Sequence, residues 1–171
     1  MKLLAAIMIF FSSSAYGMSL SLEMKNRIFC LEQIQIGCLL MKNEMEYGTI
    51  LLSELFDHLS ERTEGEWKLF FSGVSKAAEE ASTDSFYEIW EKNTRQYLDH
   101  MPWKKEDRME FIELGKGMGY LDRQMQLDQL KLYQIRLNQK IQEGRKLWRD
   151  KGKIYQTLGV MTGLMTVILL I

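Results

Sequence analysis

The sequence predicts an all-α protein, a helical bundle of about six helices whose first and last members extend into apolar terminal segments. Three observations predict it. Pro102 is the one proline in 171 residues, so almost no position forbids a helix. The stretches between turn residues are rich in Leu, Met, Glu, Gln and Lys, whose side chains lose little rotamer freedom in a helix. No stretch shows the sustained β-branched alternation that marks strands. The length suits one domain. The 22 basic and 23 acidic residues leave a formal charge of −1, so the basic excess of a nucleic-acid binder is missing.

The first helix begins in residues 3–22, a 20-residue stretch without charge led by Leu3-Leu4-Ala5-Ala6-Ile7-Met8-Ile9-Phe10-Phe11. A helix of that length rises about 30 Å, the thickness of a bilayer's hydrocarbon core. Ser12-Ser13-Ser14, Ser19 and Ser21 dilute its second half. Lys2, the apolar core and Ala15-Tyr16-Gly17 also resemble a secretory signal with a small-x-small cleavage site. From Leu20 to Met45 nothing breaks a helix, and Met24, Ile28, Leu31, Cys38, Met41 and Met45 mark one apolar face. Cys30 and Cys38, the two cysteines, stand about 12 Å apart along a helix axis, too far for a disulfide. They read as buried thiols, and too few histidines are present to favour a zinc site.

Tyr47-Gly48-Thr49 predicts a stop and restart, with Thr49 capping a short helix from Ile50 to Leu59. Thr63-Glu64-Gly65 ends that helix. Trp67 to Ala81 reads as a third, burying Trp67, Phe70, Phe71 and Val74. The polar turn Ser82-Thr83-Asp84-Ser85 offers caps for a fourth, which carries Phe86, Ile89, Trp90 and Tyr97 towards His100. Pro102 sets the next boundary. Lys104 to Gly115 reads as a fifth helix burying Met109, Ile112 and Phe111. Gly115-Lys116-Gly117-Met118-Gly119 reads as a hinge, since it has neither the spacing of a phosphate loop nor a preceding strand.

From Tyr120 a last helix runs on with two apolar stripes. Leu121, Met125, Leu132 and Ile135 lie on one face, and Leu130, Leu137, Ile141 and Trp148 lie almost opposite. Such a helix is central in a bundle or shared with a partner. It merges into residues 154–171, which carry no charge and end Val167-Ile168-Leu169-Leu170-Ile171. There Gly159 and Gly163 stand four apart, a spacing that lets helices approach closely.

Lys25 and Arg27 follow the first apolar segment, and Lys146, Arg149, Lys151 and Lys153 precede the last. Positive residues favour the cytoplasmic side of a span. The expected organisation is therefore an N-terminal transmembrane segment (1–22), a cytosolic helical bundle (23–153) and a C-terminal transmembrane segment (154–171). No nucleophile–base pair, metal cluster or phosphate loop emerges, which points away from an enzyme and from any cofactor. The competing organisation is an exported adaptor or ligand-binding domain, with residues 1–17 removed and one C-terminal anchor.

Leu114-Gly115, Gly119, Asp122 and Gln126 resemble the L-G-x-x-L-G-x-x-D-x-x-x-Q run of the stage III sporulation protein AB family. The stretch Tyr155-Gln156-Thr157-Leu158-Gly159-Val160, then Gly163-Leu164 and Val167-Ile168-Leu169-Leu170, resembles that family's closing motif. Glu44-Met45-Glu46-Tyr47-Gly48, followed by Leu52 and Glu54, resembles its E-I-x-Y-G junction, and Trp90 matches a central tryptophan. Met118 replaces a usual leucine, and Ile50-Leu51 replaces threonine and proline. The resemblance implies a non-enzymatic platform subunit in the channel complex linking mother cell and forespore, in the mother-cell membrane. It is similar to the helical cytoplasmic domain of the type II secretion F protein. The implied partners are the other stage III sporulation A proteins, including the secretion-ATPase-like member; a homo-oligomer is a separate expectation, and the charge balance argues against nucleic acid. The residues expected to carry structure or interaction are Leu114, Gly115, Gly119, Asp122, Gln126, Leu130, Leu132, Gly159 and Gly163.

Overall fold

A computed structural model describes residues 2–47, 51–80, 85–120 and 122–170, with the side chains of Tyr47 and Tyr120 and a number of those in residues 2–14 and 152–170 outside the description. The described residues form six helices: α1 (Lys2–Tyr47), α2 (Leu52–Glu61), α3 (Gly65–Glu80), α4 (Phe86–Leu98), α5 (Lys105–Tyr120) and α6 (Arg123–Leu170). Among the described residues there is no strand. The chain divides into two units, one of residues Met1–Phe29 and Gln139–Ile171, the other of residues Cys30–Asn138.

The second unit is the bundle. Its core is aromatic: Phe56, Phe70, Phe71, Trp90 and Phe111 are fully buried. Trp90 lies with its ring centroid 4.9 Å from those of both Phe70 and Phe111. Edge-on and tilted rings of this kind add about 0.5–1.5 kcal/mol per pair beyond the area they bury. The short helices pack in chain order, α2 on α3, α3 on α4 and α4 on α5. Cys30, Leu31, Ile34, Cys38, Met41 and Met45 close the core from α1. Leu127, Leu130, Tyr133 and Leu137 do so from α6.

Several boundaries differ from those expected. The second helix starts at Leu52, with Leu51 in extended backbone at its N-cap. Leucine has no acceptor to offer, so only half of a capping box forms, from the Leu51 N–H to the Glu54 carboxylate at 3.4 Å. Thr49, expected as the cap, lies outside the described residues, as does the turn at 81–84. Ser85 caps α4 in full, accepting from Glu88 N while the Glu88 carboxylate accepts from Ser85 N at 2.8 Å. Gly65 opens α3 at a φ of 58°, a conformation that costs glycine nothing.

The largest correction concerns the glycine run. Gly115, Gly117 and Gly119 are not a hinge; all three are helical, and α5 continues to Tyr120. Each glycine costs a free helix about 1 kcal/mol relative to alanine, so packing must repay the difference. It does so by letting neighbours in: an added Cβ would stand 2.4 Å from the Trp90 ring at Gly115 and 2.6 Å from Phe86 Cβ at Gly119. Met109, expected in the core, is 40% exposed, because it points away from the face that buries Phe111, Ile112, Leu114 and Met118.

In the first unit, Ile28 and Ile141 are buried, and a Cβ at Gly144 would stand 3.1 Å from Ile28 Cγ1. Gly144 thus joins α6 to α1 rather than merely weakening the helix. Residues 15–17 lie inside α1. Trp148, placed with the buried stripe by its spacing, is 40% exposed. No helix among the described residues is long and apolar enough to cross a membrane. In α1 the serines at 12–14, 19 and 21 lower the hydropathy. Most side chains of 154–171, on which the second expected span rests, lie outside the described residues.

Candidate functional site

The residues singled out at the end of the fifth helix meet at one junction, and each has a mechanical task. Leu114 is buried, and Gly115 and Gly119, one turn apart, admit Trp90 and Phe86 of α4. Trp90 uses the closeness: its indole Nε1 donates to the Phe111 carbonyl at 2.8 Å, so a fully buried polar atom is satisfied. Asp122 caps α6, its Oδ1 accepting from Met125 N at 3.0 Å. Gln126 reaches back, its Nε2 donating to the Met118 carbonyl at 2.6 Å. That carbonyl sits in the last turn of α5, where no intrahelical donor remains. Asp122 and Gln126 therefore serve the two ends of one corner.

Arg123, which sequence reasoning passed over, extends the junction to α1. Its Nε donates to the Met45 carbonyl at 2.7 Å and its Nη2 to the Glu46 carbonyl at 2.8 Å. A planar guanidinium suits two adjacent carbonyls, and its charge suits the negative end of the helix dipole. One residue earlier Glu44, largely buried, pairs with Arg62 and lies 3.5 Å from His58 Nδ1, holding α2. The family-like stretches around Glu44 and Asp122 are thus brought together.

Beside this junction four helix ends surround a shallow groove of about 660 Å³. Leu51, Leu52, Ser53 and Glu54 line it from α2, Ala78 and Glu79 from α3, Phe86 and Ile89 from α4, and Gly119 from α5. A smaller pocket of about 310 Å³ lies between α5 and α6, where Glu113 and Lys116 pair at 2.8 Å on its rim.

The two stripes of α6 separate over its first half, although Trp148, grouped with Leu130, is exposed and Leu121, grouped with Leu132, lies outside the described residues. Leu130 is fully buried with Leu137, whereas Met125, Leu132 and Ile135 are 53%, 58% and 57% exposed. Gly159 and Gly163 lie within α6, in the part whose side chains are outside the description.

Shifted titrations do not assemble a reaction centre. Burial pushes the Cys38 thiol far up and, with lesser contributions from Cys38 and Glu110, raises the Tyr133 hydroxyl. On the surface, Glu91 is lowered chiefly by its hydrogen bond with Arg95, and Lys116 is raised by Glu113. Among the described residues no group of three or more His, Cys, Asp or Glu is placed to hold a metal.

A family model described as stage III sporulation protein AB matches residues 2–171. The chain belongs to the stage III sporulation protein AB family. Membership gives it a role in sporulation. A solved structure titled stage III sporulation protein AB (SpoIIIAB) is similar in fold, with a TM-score of 0.63 at 20% identity, over 72% of this chain and 96% of the other. Among curated proteins no relative matches.

Proposed function

We propose that the chain is a non-enzymatic platform subunit of the channel complex that joins mother cell and forespore, docking neighbouring stage III sporulation proteins on the outward face of α6. The observation that carries this reading is the division of α6 into a buried Leu130 stripe and an exposed Met125–Leu132–Ile135 stripe. A helix that fills a core with one side and leaves a second apolar side in water is suited to sharing with a partner. Neighbours in the complex, the secretion-ATPase-like member among them, are the candidates for that face. The uncharged stretches at 3–22 and 154–171 would hold the bundle at the mother-cell membrane. The basic residues beside them favour a cytosolic bundle.

A photocrosslinking residue placed at 132 in sporulating cells is expected to join another stage III sporulation protein, and the same residue at 130 is not. Equal adducts from both positions, or none from 132, would remove the docking face. Topology is tested with Glu80→Cys: a thiol reagent that cannot cross membranes should label it only after lysis. N-terminal mass spectrometry that finds a mature chain starting near Met18 would replace this reading with the exported adaptor.

A further inference from the structure

The charges of the chain are unevenly divided. Residues 30–138, the bundle, hold 13 basic and 20 acidic side chains, a net −7, while the remaining residues hold 9 and 3, a net +6. The −1 of the whole sequence hides this. Within the bundle, the ionisable residues among the described lining of the groove beside Gly119 are both carboxylates, Glu54 and Glu79. Its lining is apolar where Phe86 and Ile89, both buried, contribute to it, and Gly119 adds no side chain that would fill it.

Leu51 is the most telling residue. It occupies the N-cap of α2, where serine, threonine, aspartate or asparagine would stabilise the helix by about 1 kcal/mol. Instead a leucine stands there 69% exposed, lining the groove, its side chain capping nothing. The Glu54 carboxylate compensates only the Leu51 N–H, and an exposed leucine side chain where a capping side chain would stabilise the helix points to a contact outside the fold.

We infer that this groove docks an amphipathic segment of another protein, one that inserts a large apolar side chain against Leu51, Phe86 and Ile89 and sets lysine or arginine against Glu54 and Glu79. The net charge of the bundle attracts such a segment, and the two rim carboxylates fix its register. The site is separate from the Leu132 face, so either can fail without the other.

The test uses the full chain in non-ionic detergent micelles and a fluorescein-labelled amphipathic peptide of leucine, tryptophan and lysine, followed by anisotropy. A counterpart with glutamate for lysine serves as the reversed-charge probe. The lysine peptide is expected to bind, more weakly as salt rises, and the glutamate peptide is not. E54K/E79K should weaken binding about tenfold or more, while E61K/E64K, which changes net charge equally at exposed positions away from the groove, and Leu132→Asp should retain it. Leu51→Ser separates binding from folding: it supplies the missing cap, so the melting temperature should rise while peptide affinity falls. Equal losses in E54K/E79K and E61K/E64K would reduce the site to a general field and overturn the proposal. So would equal binding of both peptides. A change in oligomeric mass caused by E54K/E79K without peptide would make the occupant a second copy and would also overturn it.

Discussion

A methyl group on residue 115 would stand 2.4 Å from the Trp90 ring, in a core where the ring has nowhere to retreat. Gly115→Ala should therefore destabilise the chain by about 1–3 kcal/mol in urea unfolding, although helix propensity alone would stabilise it by about 1 kcal/mol. At Gly144 the nearest atom is Ile28 Cγ1 at 3.1 Å, the end of a side chain that can shift, so Gly144→Ala should be close to neutral. The buried thiol and phenol make a second prediction. Cys38 and Tyr133 both have raised folded-state values, which keep them protonated where the unfolded chain has begun to ionise. Their contribution is fully present below the unfolded Cys value of about 8.5 and declines as pH rises beyond it. Stability measured by denaturant titration should fall from about pH 9 upward, and Cys38→Ala should lessen the first part of that fall.

Between helices the structure depends on ends more than on faces. Arg123→Ala would leave the last carbonyls of α1 without their charged donor, with an expected loss of about 1–2 kcal/mol. Arg123→Lys should not restore it, since a point charge cannot serve two carbonyls at once; urea midpoints of the three proteins decide this. Most elements were legible in the sequence because their apolar residues recur at helical spacing, as with Trp67, Phe70, Phe71 and Val74. The glycine run was misread, since glycine in a helix and glycine in a turn look alike until the neighbour is known. Trp90 supplies that neighbour from 25 residues away. Asp122 and Gln126 stand out in the sequence as part of the family-like run, but Arg123 does not, because its partners are backbone atoms 77 and 78 residues distant. Nor could spacing alone say which stripe of α6 faces the core.

At the scale of the molecule the division of charge separates two tasks. The basic residues outside the bundle suit an anionic lipid surface, at about 1 kcal/mol for each lysine or arginine near it. Replacing Lys146, Arg149 and Lys151 with glutamine should weaken association of the full chain with phosphatidylserine-containing vesicles in a flotation assay, and leave association with phosphatidylcholine vesicles unchanged. The grip of Arg123 on Met45 and Glu46 has a further consequence, in the order of events during synthesis. The helices α2 to α5 meet neighbours next to them in sequence, so their contacts close short loops and can form as the chain leaves the ribosome. α1 is made first, yet the guanidinium that caps its end emerges only after all four. The end of the oldest helix is thus the last to be capped: α2 and α3 can cover part of its apolar face as they appear, but the Met45 and Glu46 carbonyls wait until the ribosome has passed position 123.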